Sequence, residues 1–388
     1  MRLFDSVKRM TEVLIAGAGV GGLALAQALR RGGLDVAVYE RDLSAVTRHQ
    51  GYRIHIDPNG NSALRACLPE RVLDRARRTS GVNGDLVATY TQRLDQVTAR
   101  TFPGITDDEI TNVDRYVFRQ SLLTGLADTV RFGRTVTGYR ITPAGRIRVE
   151  FADGGSDEGD LLVGADGVGS AVRRQLLPHA TVRDLGFRCL YGRMPIDETT
   201  DALLPDDFRR GFCWVAGDNG FGAGLATVRF RNRPEGASDY LMTTLVATPG
   251  RLGMPDGKLF RLAPEQLWRI AVAATGQWHP AVRDLFARAD PGSFFPIVIR
   301  AGERVEPWPP GPVTLLGDAV HTMPPTGGVG ANTALQDAAT LSAELLSAAR
   351  GEQSLIEAVA GYERVMLPRG FDTVDSSLRM AGQMVAAA

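Results

Sequence analysis

Only three of the 388 residues are cysteine, Cys67, Cys189 and Cys213, and no two of them form a C-x-x-C pair. That excludes a disulfide scaffold and a redox dithiol, and it fits a reducing, cytoplasmic compartment. The five histidines, His49, His55, His179, His279 and His321, show no metal-ligand spacing, so no metal is expected. Net charge is missing as well: 44 Lys+Arg balance 44 Asp+Glu. Without an excess of one sign, no long-range field gathers nucleic acid or an anionic membrane. Lysine itself is nearly absent, since Lys8 and Lys258 are the only two. Arginine supplies the other cations, and with abundant Ala and Gly this reads as GC-rich codon usage rather than a binding property. No apolar run reaches the length of a membrane span. The nearest approach, "VLIAGAGVGGLALA" (13–26), follows Lys8 and Arg9 in the manner of a secretory leader. Its glycine spacing argues instead for a folded strand–helix unit in a soluble chain of two or three packed parts.

What is present begins with that unit. "EVLIA" (12–16) is a short apolar strand, Gly17, Gly19 and Gly22 give G-x-G-x-x-G, and "LALAQALRR" (23–31) has helical propensity. "DVAVYE" (35–40) makes a second strand that ends on Glu40. Strand, glycine turn, helix and strand together make the motif specific for a dinucleotide. Gly17 permits the tight turn, Gly19 admits a pyrophosphate to the backbone, and Gly22 lets the helix pack closely. The helix N-terminus then faces the phosphates, and Glu40 accepts from ribose hydroxyls. An acid at position 40 disfavours a 2′-phosphate, which leaves FAD or NAD.

Two further segments share this form. "DLLVGADGVGSAVRR" (160–174) runs from an apolar strand into Asp166-Gly167, then Ser170 and Arg173. "VTLLGDAVHTMPPTGGVGANTALQD" (313–337) runs from a strand through Gly317-Asp318, Pro324-Pro325 and Gly327-Gly328-x-Gly330 into a helix from Asn332. Each alone also has a plainer reading, as a β-turn before a capped helix for the first and a kinked loop before one for the second.

In this order the three segments resemble those of the FAD-dependent aromatic hydroxylases. These are the single-component group A monooxygenases related to para-hydroxybenzoate hydroxylase, with the tetracycline-inactivating monooxygenases nearby. The resemblance runs from about residue 12 to about residue 375 and is weakest between roughly 180 and 290. It implies an α/β fold with a Rossmann-like, GR2-type FAD-binding domain, an inserted mainly-β substrate domain and a C-terminal helix. The expected division is 1–178 and 296–388 for the first domain, its closing helix starting near 352, and 179–295 for the second.

The resemblance also implies roles. Glu40 holds the adenosine ribose, with Arg41 beside it. Asp166 and Gly167 lie near the pyrophosphate, Asp318 holds the ribityl chain or pyrophosphate, and Arg53 and Arg115 contact FAD. Backbone N–H groups of Gly330, Ala331 and Asn332, at a helix N-terminus, offset the negative charge of reduced flavin near N1 and the C2 carbonyl. Gly327, Gly328 and Gly330 keep side chains away from the ring, and Pro324 and Pro325 stiffen the loop. No side chain is singled out as catalytic; His321 packs beside the loop. The implied reaction uses NADPH or NADH as a transient reductant and a flavin hydroperoxide that oxygenates an aromatic, phenolic or polycyclic molecule.

The middle of the chain turns to strands: "VRDLGFRCLYGRMPI", "GFCWVAG", "FGAGLATVRF" and "DYLMTTLVAT", followed by a helical "EQLWRIAVAA". Phe212, Trp214, Phe221, Met242 and Phe295 are candidates to line a substrate pocket. His55 shares a strand face with Arg53 and Asp57, which reads as a solvated edge. The tail (356–385) reads as an amphipathic helix broken at Pro368-Arg369-Gly370. The expected partners are a small aromatic substrate and O2, with no nucleic acid or integral membrane association, in a monomer or weak homodimer. Two other readings remain: an FAD oxidoreductase without oxygen insertion, and a ligand binder without turnover. A halogenase is disfavoured by the lack of a W-x-W-x-I segment.

Overall fold

The computed structural model describes residues 11–46 and 52–386, so His49 lies outside the described residues. Five short strands form a fully parallel sheet in the spatial order Val313–Leu315, Leu161–Gly164, Glu12–Ala16, Asp35–Glu40, Val130–Phe132. Covered on both faces, these strands are runs of apolar residues rather than alternations: Val13, Leu14, Ile15, Leu161, Leu162 and Val163 are all fully buried. The glycine-rich turn makes the helix Val20–Arg31, which packs against the long helix Gly330–Ala349. Gly21 lets the two close, because a Cβ there would lie 2.4 Å from Leu316 Cδ2 and 3.2 Å from Ala334 Cβ.

A second, seven-stranded sheet runs Phe295–Gly302, Val182–Pro195, Tyr240–Ala247, Gly222–Val228, Gly211–Ala216, Leu86–Thr91, Gln96–Thr101. The four strand segments and the helix (Pro264–Thr275) read from the middle of the sequence are all present. Residues 86–101, on the first-domain side of the expected division, hydrogen bond in this sheet, and Phe295–Gly302 straddles the boundary at 295. Alternation sorts the side chains onto two faces. Cys213, Val215, Leu225 and Leu245 join a core with Leu267 and Phe286 of the covering helices. Phe212, Ala226, Tyr240 and Met242 cluster on the opposite face with Tyr52, Tyr191 and Phe295.

A three-stranded antiparallel sheet (Val136–Ile141, Ile147–Phe151, Ser156–Gly159) flanks the parallel one, and Arg53–His55 pairs antiparallel with Asn112–Asp114. The pairing corrects the view of 53–55 as a solvated edge: all three residues are half-buried. The tail is corrected too. Leu355–Ala386 is one continuous helix of 32 residues with Pro368 inside it. A proline removes one helical hydrogen bond, but here the next turn is held from outside. Arg369 Nη2 donates to Asp337 Oδ1 at 2.9 Å, Phe371 is buried, and Gly370 packs directly on His321. Among the described residues no helix is long and apolar enough to cross a membrane.

Candidate active site

Because the sheet is parallel, its strands all end at one edge, and the sequence markers follow four neighbouring carboxyl ends. Gly17 and Gly19 follow Ala16, Glu40 closes its strand, Asp166 comes two residues after Gly164, and Asp318 comes three after Leu315. This is the crevice where open α/β sheets bind ligands.

Gly17 has φ +107°, and a Cβ on it would sit 2.4 Å from Ala165 O. A Cβ on Gly22 would lie 2.2 Å from Gly17 O, so the helix start is folded tightly onto the turn. At Gly19 a Cβ would meet nothing within 4 Å. The middle glycine therefore faces open space, as a turn that receives a ligand must. The first bond within the helix is Leu23 N–H to Gly19 O at 2.9 Å, which leaves the preceding N–H groups pointing forward.

Glu40 is 8% exposed. Its Oε2 accepts from Ala18 N–H and its Oε1 from Asp42 N–H, both at 2.9 Å, so it clamps the glycine turn while keeping lone pairs for ribose hydroxyls. Arg119 completes this corner. Its guanidinium lies 3.3 Å from Glu40 and 3.5 Å from Asp42, and its Nε donates to Ala18 O at 3.0 Å. Arg41, next to Glu40, is exposed.

Asp166 Oδ2 accepts from Ala171 N–H at 2.7 Å and Val172 N–H at 3.4 Å, whereas its buried Oδ1 has no hydrogen-bond partner. A buried carboxylate oxygen without a donor is uncommon in a finished interior, and a ligand hydroxyl or amide would satisfy it. Gly167 beside it has φ +75° and open space at its Cβ position. Ser170 caps the following helix, accepting from Arg173 N–H at 2.9 Å, and Arg173 braces the carbonyls of Val168 and Ala319.

Asp318 is exposed yet closely surrounded by protein, as at the wall of a deep cleft. Those surroundings push its carboxyl pKa up, while the charges of His321 and Arg115 pull it down. Arg115 thus lies on the Asp318 side of the cleft; its own N–H is bonded to Tyr52 O at 2.8 Å. Behind Asp318, His321 is fully buried with Nε2 2.6 Å from Asp337 Oδ2. That same oxygen accepts from Gly317 N–H at 3.0 Å. Burial opposes protonation of His321, but Asp337 outweighs it and raises the imidazole pKa; Asp337, despite its burial, is held low by His321 and Arg369.

The loop beyond is shaped by buried Pro324, exposed Pro325, and Gly327 and Gly328 at φ +79° and +66°, both in the left-handed region. The helix starts at Gly330, and its first such bond is Thr333 N–H to Val329 O at 2.9 Å. By helix geometry the N–H groups of Gly330, Ala331 and Asn332 have no acceptor within the helix. Asn332 ties this terminus to the neighbouring strand: Nδ2 donates to His55 O at 3.0 Å, and Oδ1 accepts from Asp57 N–H at 3.1 Å.

The substrate candidates divide. Phe212, Met242 and Phe295 share the cluster with Tyr52, Tyr191 and Tyr240, where Tyr191 and Phe295 stack with centroids 5.6 Å apart. Trp214 shares the face of Phe212, and its buried indole N–H has no partner. Phe221 is not brought to this group; it packs against the helix-covered core. Arg53 is not brought to Glu40 or Asp166. Its electrostatic neighbours are His55, Tyr240 and Cys213.

Arg119, Asp337, Arg369 and Asn332's side-chain role escaped sequence reasoning. The signal available was a carboxylate on an apolar helix face, "TALQDAATL", since an Asp buried there must be paired.

The FAD binding domain family matches residues 10–184 and 273–377, well over half the chain. The dual O-methyltransferase/FAD-dependent monooxygenase CTB3 of Cercospora beticola is 31% identical over 407 aligned residues, covering 96% of this chain but 46% of that protein. The chain thus spans about half the length of that curated relative. A Photorhabdus luminescens structure described as an FAD containing monooxygenase has TM-score 0.85 and 31% identity, covering 97% of this chain and 99% of that one. Klebsiella pneumoniae HpxO, complexed with FAD and uric acid, has TM-score 0.78 and 26% identity, covering 97% and 91%. The open glycine turn, the orphaned Asp166 oxygen and the free helix N-termini fit a flavin dinucleotide, and the chain belongs to the FAD binding domain family, with FAD as its cofactor.

Proposed function

We propose that the chain is a single-component monooxygenase that takes two electrons from NADPH or NADH and places one atom of O2 on a planar aromatic or phenolic molecule. The second oxygen atom leaves as water. When bound, FAD supplies the redox chemistry, accepting hydride and activating O2. The observation that carries the reading is the meeting of Gly19, Glu40, Asp166 and Asp318 at four neighbouring strand ends, beside an aromatic sheet face.

The chain's own residues bind, orient and exclude. Glu40 holds ribose hydroxyls, and Asp318, near Arg115, holds the ribityl–pyrophosphate part. Amide hydrogens of residues 330–332 offset negative charge on the reduced ring without needing to reorganise. Phe212, Met242, Tyr191 and Phe295 give a water-poor wall against which a planar ring lies, and dryness protects the activated oxygen from loss as H2O2. That HpxO is held with uric acid, a planar heterocycle, supports this substrate shape.

The test is an aromatic-compound screen on FAD-loaded protein, following NADPH or NADH oxidation and label from isotopic O2 in the product. Labelled product from a stimulating compound is the expected result. Product without O2 uptake would make the chain an oxidoreductase of another kind, and a flavin that neither nucleotide bleaches would leave it a binder.

A further inference from the structure

We propose that Arg53 anchors an anionic oxygen of the substrate, a carboxylate or a phenolate, at the aromatic face of the seven-stranded sheet. The proposal rests on the monooxygenase reading, which makes that face the substrate wall.

Alternation along Arg53–His55 puts both of those side chains on one face of their strand, and the arginine charge is felt at His55. His55 leads to the flavin loop: a side chain at Gly328 would meet His55 Cβ at 3.0 Å. In the other direction the strand that carries Arg53 lies against Gly222–Val228 of the seven-stranded sheet, and the arginine charge is felt at Tyr240 of the aromatic cluster. The strand that carries Arg53 therefore lies between the cofactor loop and the substrate wall.

Two acids of neighbouring segments, Asp114 and Asp57, already hold other donors. Asp114, the pairing partner of Arg53 across the strands, accepts from Val117 N–H and Tyr240 O–H, both at 2.9 Å. Asp57 accepts from Gly60 N–H at 2.7 Å as a helix cap. Among the described residues Arg53 makes no ion pair, and its buried Nε has no acceptor. Burial without a counter-charge depresses its pKa to about 10. By contrast Arg119 lies against Glu40 and Asp42 and Arg369 against Asp337, while Arg173, which among the described residues also makes no ion pair, spends its Nη atoms on the carbonyls of Ala319 and Val168. A half-buried cation without a carboxylate partner is costly, and an anionic ligand oxygen would supply the acceptor. The planar fork of arginine suits a carboxylate, or one phenolate oxygen, by charge-assisted donation. A phenolate held there would also feed electron density into the ring that receives the electrophilic oxygen.

Benzoate, 2-naphthoate and anthracene-2-carboxylate, each against its carboxamide, and 4-nitrophenolate against 4-nitroanisole, are titrated into FAD-loaded parent, Arg53→Lys and Arg53→Met proteins. Flavin absorbance and tryptophan fluorescence report binding, and FAD content is measured on every sample first. The parent is expected to prefer at least one anion over its neutral partner by roughly ten- to a hundredfold. Arg53→Met should abolish the preference and Arg53→Lys keep part of it. The carboxylate and phenolate arms tell the two sources apart. A yellow parent indifferent to ligand charge, or a preference unmoved in Arg53→Met, overturns the assignment and leaves the monooxygenase reading standing. Loss of FAD from Arg53→Met also overturns it, by placing Arg53 with the cofactor. A colourless parent that refuses FAD removes both.

Discussion

Asn332 Nδ2 donates to the carbonyl of His55 across 277 positions of sequence, at 3.0 Å. Its Oδ1 takes the N–H of Asp57, so one buried amide fixes the start of the 330–349 helix to the strand that carries Arg53. Replacing it with alanine leaves that N–H and carbonyl unpaired. We expect Asn332→Ala to lose about 1–3 kcal/mol of stability and to release FAD faster, measured by urea unfolding and by flavin fluorescence recovery. Unchanged values for both would show that the tie is incidental.

Asp318 stands at the cleft wall within reach of the charges of His321 and Arg115. Asp318→Ala is expected to purify folded but largely colourless. The absorbance ratio of flavin to protein checks it, and full yellow occupancy would count against the cofactor geometry.

Asp337 binds three partners at once: His321, Arg369 and the N–H of Gly317. In Asp337→Asn the buried imidazole and the half-buried guanidinium of Arg369 lose their counter-charge. The expected cost is about 3–5 kcal/mol, as for breaking a buried ion pair from one side. Thermal unfolding measures it. Arg369→Met, which leaves His321 paired, should cost less.

Glu363 is buried and receives Thr314 O–H at 2.7 Å and Trp308 N–H at 3.0 Å. Burial dominates and pushes its carboxyl pKa up to about 7. The folded state therefore favours the protonated acid. That contribution to stability is complete below the ordinary glutamate pKa and is lost as pH rises from about 4.5 to about 7. Parent minus Glu363→Gln stability should fall across this window by no more than about 3 kcal/mol. A flat difference would mean that the carboxyl titrates normally.

Much of the site was readable because its chemistry is local. Gly17, Gly19, Glu40, Asp166 and Asp318 each sit at a strand end with its own short signature, and the parallel sheet brings those ends together. The long-range partners were not readable. Arg119 and Arg115 occupy similar helical positions in "RYVFRQSL", and only packing decides that the former meets Glu40. Phe221 and Phe212 are equally aromatic, yet strand alternation and a hairpin end put them in different cores. Pro368 looked like a break because the compensating contacts of Arg369 and Phe371 come from elsewhere in the chain.

The last helix has a consequence for how the molecule is made. Tyr362 and Glu363 brace the 313–315 strand, and Arg369 completes the charge cluster behind Asp318. Synthesis must therefore pass these residues before the earliest glycine turn has a finished pocket to belong to. Capture of the yellow cofactor is therefore expected only after translation has passed Arg369, and closing such distant contacts makes the search slow.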